Sequence, residues 1–493
     1  MSEEWDEKLE LLDQQIKMGH LASARTQLLQ IPKGSVPRAV VARVGLLMVR
    51  SNLAHKAAAI LNPVVRTENE LRAEASEQER LALALALARL GSTREATVVL
   101  ESLPKESAQA QLYLAYIRQT KWDYVGAIPL IQNYLTLSSD PEYERAVAMV
   151  NLLACLINAQ QIDSAQLLLA ELSESAKKQS WALIQKHLIE LEAQIHIARA
   201  DWSKAIQVLR PARESIGEIT NVNELLLMKW WSYVQSMQSN HPSDLREIVA
   251  IRHRAVEMSH WETIRDCDRM IAELSRRQDL FDRVYVGSPF QPFRMKLNRH
   301  FKTWARPPEG FTMGQPDGTV LDLSSGLLNQ RSPLLKPGQI LHRALSLLFM
   351  DFYRPISVGH FFAELYPNQY FNPEVSLDRI NMVLYRLRGW AKENRLSLSI
   401  KMENLNLSAS VEEDLGIHVP LVSEKQAESN LLVNGNLTRL RSAVGDLGFT
   451  SSRAAEVLGV SKATVNRILG LAIKEGALDK CGSGRHITYK WVA

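Results

Sequence analysis

The chain has 493 residues, of which 46% are hydrophobic, and 58 basic against 54 acidic residues leave a formal net charge of +4. Such a chain is not disordered by default: it has the length for roughly two to four domains and the apolar content to bury their cores. Its three distant cysteines, Cys155, Cys267 and Cys481, form no disulfide framework or zinc-ligand spacing, and no apolar run reaches the ~18 residues of a membrane span, so a soluble cytoplasmic protein without membrane contact is expected.

The start, Met1-Ser-Glu-Glu-Trp-Asp-Glu7, is acidic and lacks the basic and apolar parts of a signal peptide. Charge is unevenly distributed along the chain. Residues 1–280 carry 32 Lys+Arg against 35 Asp+Glu, residues 281–402 carry 16 against 9, residues 403–435 carry 1 against 6, and residues 436–493 carry 9 against 4. The basic half is therefore the C-terminal one, and an acidic partner is expected there.

The first 280 residues are rich in Leu, Ala, Gln and Glu and show helical spacing of apolar positions. Related segments recur, each leading from a small residue to an apolar pair: Ala24 to Leu28-Leu29, Ala96 to Val99-Leu100, Ala127 to Leu130-Ile131, Ala165 to Leu168-Leu169 and Ala205 to Val208-Leu209. With Ala57 included, these alanines are separated by 33, 39, 31, 38 and 40 residues. A small residue lets the second helix of a pair approach the first closely, with Leu21, Tyr124, Ile162 and Trp202 filling the space beside it. Pro32, Pro63, Pro104 and Pro211 follow and are expected to stop or redirect helices. The pattern resembles tetratricopeptide repeats and implies an α-solenoid that binds a protein or peptide, which leaves room for self-association. Leu81-Ala-Leu-Ala-Leu-Ala-Leu-Ala88 alternates with the period of a strand, but both residue types favour helix, and a buried solenoid helix is expected.

From Phe281 the texture changes. Pro289 to Trp304 mixes bases with Phe290, Phe293, Phe301 and Trp304. Such a basic, aromatic-laced link can bind nucleic acid; packing of the aromatics is the favoured reading.

Gly310–Gly314 and Thr319–Leu323 flank Gln315-Pro-Asp-Gly318 and read as a hairpin. Three helices follow: Gln339 to Met350, one capped by Ser357 and ending at Leu365, and one capped by Ser376 with Ile380, Val383, Leu384 and Leu387 inward. A second hairpin turns at Glu403-Asn404. Residues 310–410 resemble the C-terminal effector domains of two-component response regulators and of related solenoid-bearing bacterial activators. Ile380-Asn-Met-Val-Leu-Tyr-Arg-Leu-Arg388 is similar to that family's recognition helix with its closing Arg-Leu-Arg. It departs at Asn381, where the family favours Asp, and at Val383, where it favours His. The resemblance implies a winged helix that positions on DNA through Arg379, Arg386 and Arg388.

The last module, residues 436–493, reads as helix-turn-helix with a wing. Ser451 or Ser452 can cap a helix that Gly459 ends, and Ser461 caps a second helix with Val465, Ile468, Leu469 and Ala472 at helical spacing. Leu478–Cys481 and Arg485–Trp491 form a hairpin in which Ile487, Tyr489 and Trp491 face the helices. The second helix is the one that enters a major groove. Lys462, Thr464, Asn466 and Arg467, together with the cap residue Ser461, stand at its base-contacting edge, while Arg453, Arg485 and Lys490 suit phosphates or a minor groove.

No Walker-type loop, nucleophile elbow, zinc-protease helix or kinase motif set occurs, and no catalytic, cofactor or metal site is indicated. His253 and His260, two turns apart on one expected helix, suit packing or solvation better than metal binding. Solenoid acids such as Glu101 and Glu106 suit a solvated face. The expected fold is mainly α: a tetratricopeptide-like solenoid over 1–280, a basic aromatic linker over 281–309, a first winged helix over 310–410, an acidic linker over 411–435 and a second winged helix over 436–493. The expected function is a bacterial-type, non-enzymatic transcription regulator whose solenoid takes a protein or peptide and whose winged helices contact duplex DNA. A scaffold subunit, using both parts for protein assembly, is the alternative.

Overall fold

A computed structural model describes residues 2–17, 20–66, 70–239, 245–314, 318–329, 332–367, 369–412, 414–421, 437, 440–441, 443–445, 448–474, 477–482 and 487–491. The chain divides into two compact units. One comprises Met1–Val284, Arg299–Ala305 and Ser357–Asp378; the other comprises Tyr285–Asn298, Arg306–Ile356 and Arg379–Ala493.

The first unit is a stack of helical pairs: α1 (Ser2–Lys17) with α2 (Leu21–Leu29), α3 (Arg38–Arg50) with α4 (Ala54–Val65), and α5 (Glu77–Arg89) with α6 (Thr93–Glu101). It continues with α7 (Ala108–Thr120) and α8 (Tyr124–Leu137), α9 (Glu142–Asn158) and α10 (Ile162–Lys178), α11 (Ala182–Ala198) and α12 (Trp202–Ser215), then α13 (Val222–Ser239), α14 (Leu245–Glu257) and α15 (Trp261–Ser275). The recurring alanines, Ala24, Ala57, Ala96, Ala127, Ala165 and Ala205, are each the fourth residue of the second helix in a pair, and all six are 0% exposed. A larger side chain there has no space, and forcing one in costs about 1–3 kcal/mol. In α14 the same place is held by buried Ile248, so this pair lacks the alanine that marks the others.

One turn geometry joins helices throughout the stack. Asn52, Gly91, Trp122, Gln160, Ser180, Ala200 and Ser259 each stand two residues before a helix and have left-handed φ values between 53° and 81°. The residue after each reaches back five positions, as when the Asp123 N–H donates to the Arg118 carbonyl at 3.0 Å and the Asp201 N–H to that of His196 at 2.9 Å. This Schellman closure satisfies carbonyls at the end of the preceding helix. The alternating Leu-Ala stretch is helical, within α5. A capping box settles its start, with the Glu79 N–H donating to Ser76 Oγ at 3.2 Å and the Ser76 N–H to Glu79 Oε2 at 2.7 Å.

Several local expectations are corrected. Leu21 is 48% exposed and fills no gap, unlike Tyr124, Ile162 and Trp202, which pack against buried clusters. Pro63 and Pro211 lie inside α4 and α12 near their ends, where few residues remain beyond the missing N–H. His253 is on α14 whereas His260 is the N-cap of α15, so they share no helix face. The stretch after Phe281 is also helical, as α16 (Gln278–Val286) and α17 (Gln291–His300). Phe293 and Phe301 are buried, and Phe281, Phe301 and Trp304 meet edge to face at 5.4–6.1 Å. Arg294, also buried, donates to the carbonyls of Tyr285 and Val286 at 2.9 and 3.1 Å. These residues pack, and Arg294 closes the end of α16.

The second unit contains β1 (Gly310–Gly314), β2 (Thr319–Asp322), β3 (Leu327–Leu328) and β4 (Ser332–Pro333). Then come α18 (Ile340–Leu348), β5 (Ile356–Ser357), α19 (Val358–Leu365), α20 (Val375–Glu393), β6 (Leu398–Glu403), β7 (Asn406–Val411) and β8 (Leu415–Pro420), of which α19 belongs to the first unit. The sheet order β1-β8-β2-β3-β4 overturns the first hairpin: β1 and β2 are not partners, because β8 lies between them, antiparallel to β1 and parallel to β2. β8 falls in the segment expected as acidic linker. Its Leu415, Ile417 and Val419 are buried. Positions 315–317, most of the Gln315–Gly318 turn, lie outside the described residues.

The second hairpin is present with its turn one residue later. Glu403 pairs with Asn406, leaving Asn404 and Leu405 as a two-residue loop with φ of 49° and 61°. Ser357 stands at the N-cap of α19 without a side-chain capping bond, and Ser376 lies within the first turn of α20, its Oγ accepting from the Asn372 N–H at 2.9 Å. β5, β7 and β6 form a three-stranded sheet in that order.

The chain closes with α21 (Ser451–Leu458), α22 (Lys462–Lys474), β9 (Leu478–Cys481) and β10 (Thr488–Trp491). β10 pairs with β9 on one side and with Phe449 on the other. The strand order is thus the same in both places: the segment before the two last helices, then the final strand, then the strand between.

Candidate nucleic-acid interface

Local signals build the C-terminal module. Thr450 Oγ1 accepts from the Arg453 N–H at 3.3 Å and starts α21, so the cap is Thr450 rather than Ser451 or Ser452; Gly459, at φ 65°, ends the helix. Ser461 Oγ accepts from the Thr464 N–H at 3.3 Å and stands 2.9 Å from Thr464 Oγ1. Both hydroxyls are therefore engaged in starting α22. Val465, Ile468, Leu469 and Ala472 are all 0% exposed, packed with Leu458, Leu478 and Tyr489. That stripe fixes the rotation of α22 and turns Lys462, Asn466 and Arg467 outward, where all three are exposed.

Among the described residues, no hydrogen bond or ion pair engages those three side chains. An ammonium, an amide and a guanidinium within one and a half turns can meet phosphate oxygens and base edges together. Arg453, exposed on α21, pairs with Glu456 at 2.7 Å. A surface pair of this kind is worth little and can be exchanged for a phosphate. Lys490 is exposed on β10, opposite Asp479. Arg485 lies outside the described residues.

In the first module, α20 buries Ile380, Val383, Leu384 and Leu387. Its three arginines differ in what they do. Arg386 is exposed, Arg379 is half-buried and already engaged, and Arg388 donates twice to the Ile400 carbonyl, at 3.1 and 2.9 Å, tying the helix to β6. Two residues not singled out by sequence dominate the outer face: Met382 is 60% exposed and Tyr385 73%. Their spacing opposite the apolar stripe was the available signal.

Elsewhere in the second unit, buried His342 accepts from the Gly338 N–H at 3.2 Å through Nδ1, so its Nε2 carries the proton donated to the Leu323 carbonyl at 2.8 Å. Burial holds its pKa below the ordinary value. Cys155 and Cys267 are buried and Cys481 half-buried, none in a disulfide, and burial pushes the Cys155 thiol up to about 11. Among the described residues no cluster of His, Cys, Asp and Glu can hold a metal, and no helix is long and apolar enough to cross a membrane.

No protein-family profile and no curated protein sequence matches the chain. Among solved structures it is similar to the Rap conjugation gene regulator of the plasmid pLS20 in complex with the Phr* peptide, at 9% identity over 79% of this chain and 95% of that one, with a TM-score of 0.35. It is also similar to a Rap protein complexed with competence and sporulation factor, at 11% identity over 62% of this chain and 87% of that one, with a TM-score of 0.30.

Proposed function

We propose that this chain is a non-enzymatic transcription regulator in which the helical repeats take a protein or peptide and two winged helices, over residues 310–410 and 436–493, serve duplex DNA. The observation that carries the DNA reading is the outward edge of α22, where Lys462, Asn466 and Arg467 stand exposed beside a fully buried stripe. Their charge lies in a segment with nine bases to four acids, which favours phosphate over protein carboxylate surfaces of mixed sign. Arg453 and Lys490 flank this edge and act on phosphates; Arg386 does so for the first module. The repeated strand order supports reading both modules as one fold used twice.

The test is duplex DNA selected from a random pool with the full chain, followed by salt-dependent affinity measurements. Wild-type affinity falls steeply with salt through counterion release, and the triple variant Lys462→Ala, Asn466→Ala, Arg467→Ala loses binding. Unchanged retention by that variant would remove α22 from the role. The scaffold reading keeps one observation of its own, the exposed Met382 and Tyr385 on α20. If Met382→Ala with Tyr385→Ala breaks a protein complex while the α22 variant leaves everything intact, assembly is the function.

A further inference from the structure

The segment preceding α20 is built into the helical repeats, and a buried charge pair holds it there. Arg66, at the C-cap of α4, and Glu95, in the first turn of α6, are 6% and 7% exposed and form an ion pair. Glu95 is a hub: its Oε2 accepts from Ser92 Oγ at 2.9 Å and from the Phe371 N–H at 3.1 Å. Arg66 donates to Asn62 Oδ1 at 2.8 and 3.1 Å and lies 4.7 Å from the ring centre of Tyr370, while Asn62 Nδ2 donates to the Phe371 carbonyl at 3.4 Å. Both backbone groups of Phe371 are thus taken by repeat residues 276 and 309 positions earlier.

The chain of bonds runs on into α20. The Asn372 N–H donates to Ser376 Oγ at 2.9 Å, and the Ser376 N–H returns to the Asn372 carbonyl at 2.8 Å. Ser376 is 2% exposed and sits in the first turn of α20. A second contact closes on α19: the Gly359 N–H donates to the Leu90 carbonyl at 3.1 Å. A Cβ on Gly359 would come within 2.5 Å of that carbonyl oxygen, and one on Gly91 within 1.7 Å of Ser357 Oγ, so both glycines are needed for the approach. Breaking a buried pair by removing one partner leaves an uncompensated charge, so this arrangement has one strongly preferred state.

We infer that Arg66 and Glu95 are positioning residues for the first turn of α20: they fix residues 371–376 to α4 and α6, the stretch from which the helix proposed to lie on DNA continues. The inference rests on the reading of residues 310–410 as a DNA-contacting module, but its first readout does not.

The experiment is hydrogen–deuterium exchange of the full chain, with duplex affinity measured in parallel. In Glu95→Ala, amides of residues 370–376 exchange faster by roughly 10- to 100-fold, the loss expected for a hydrogen bond to a charged acceptor. Glu95→Gln, which keeps an acceptor for Phe371, restores part of the protection. Glu79→Gln is the control: Glu79 is an equally buried carboxylate that caps α5, and it weakens the repeats without changing exchange at 370–376. Should Glu95→Ala destabilise the repeats too far to measure, Gly359→Ala separates α19 from Leu90 with the ion pair intact and accelerates exchange over 357–366. Protection at 370–376 that is unaltered in the Glu95 variants, or lost equally in Glu79→Gln, overturns the inference. Accelerated exchange at 370–376 in Glu95→Ala, together with a wild-type chain that binds no duplex, would sink the DNA reading and leave the positioning role standing.

Discussion

Phe449 and Tyr489 exchange both backbone hydrogen bonds, at 3.0 and 2.8 Å, and stack their rings 6.0 Å apart at an interplanar angle of 27°. The pair supplies the third strand position of the C-terminal module and roofs the stripe on which α22 rests. Replacing Phe449, 4% exposed, by Ala removes a ring from this small core and is expected to destabilise the module by about 3–5 kcal/mol. Exchange protection should collapse over 449–491 and remain over the helical repeats. Retained protection in α22 would show that the rings do not hold it.

Two of the polar residues on α22, Lys462 and Asn466, should behave differently under substitution. On the proposed DNA reading, Lys462→Ala removes one phosphate contact and is expected to reduce the slope of log affinity against log salt by about 1, equally for all sequences. Asn466→Ala removes an amide able to read an adenine edge and should reduce discrimination at one base pair by about 1–3 kcal/mol with the salt slope unchanged. Competition titrations against single-base variants of the selected site separate these outcomes.

Ala200 is exposed and left-handed at φ 55°, in a turn where Gly91 takes the same place. The side chain gains nothing by packing and strains the backbone, so Ala200→Gly is expected to stabilise the repeats by about 1 kcal/mol. Denaturant unfolding followed by helical circular dichroism checks the sign. A destabilised variant would mean that the glycine's extra unfolded-state entropy outweighs the relieved strain.

Burial depresses the pKa of His342 below 6.5. Above 6.5 folded and unfolded chains both hold it neutral and it contributes no pH dependence. As pH falls below that value the unfolded chain takes up a proton that the folded chain excludes, and stability is lost until the folded pKa is reached. His342→Gln is expected to be less stable at neutral pH by about 1–3 kcal/mol, since a buried hydrogen bond loses its partner, and to unfold with a shallower acid dependence. Urea midpoints measured from neutral pH down to about 5 report both.

Much of this arrangement was legible in the chain itself. The six alanines marked second helices because a helix pair tolerates only a small residue at its closest approach, and all six proved fully buried. The apolar stripe of α22 followed from helical periodicity, and with it the outward edge that carries Lys462, Asn466 and Arg467. The capping residues were harder to place, since neighbouring hydroxyls such as Thr450, Ser451 and Ser452 compete within one turn of the chain and only backbone dihedrals choose among them.

Local periodicity and capping chemistry determined the helical repeats, the strand pairs β6–β7 and β9–β10 and the faces of α20 and α22, because those depend on residues within a few positions of one another. Tertiary structure alone decided that β8 separates β1 from β2, since Leu415–Pro420 pairs with strands about a hundred residues away and no local rule distinguishes a hairpin from two strands parted by a third. It also decided that Glu95, which no local pattern distinguishes from the other acids of the repeats, is buried against Arg66 and holds the Phe371 backbone. A carboxylate is buried or solvated according to the partners that the fold brings to it, and here those partners come from three different parts of the chain.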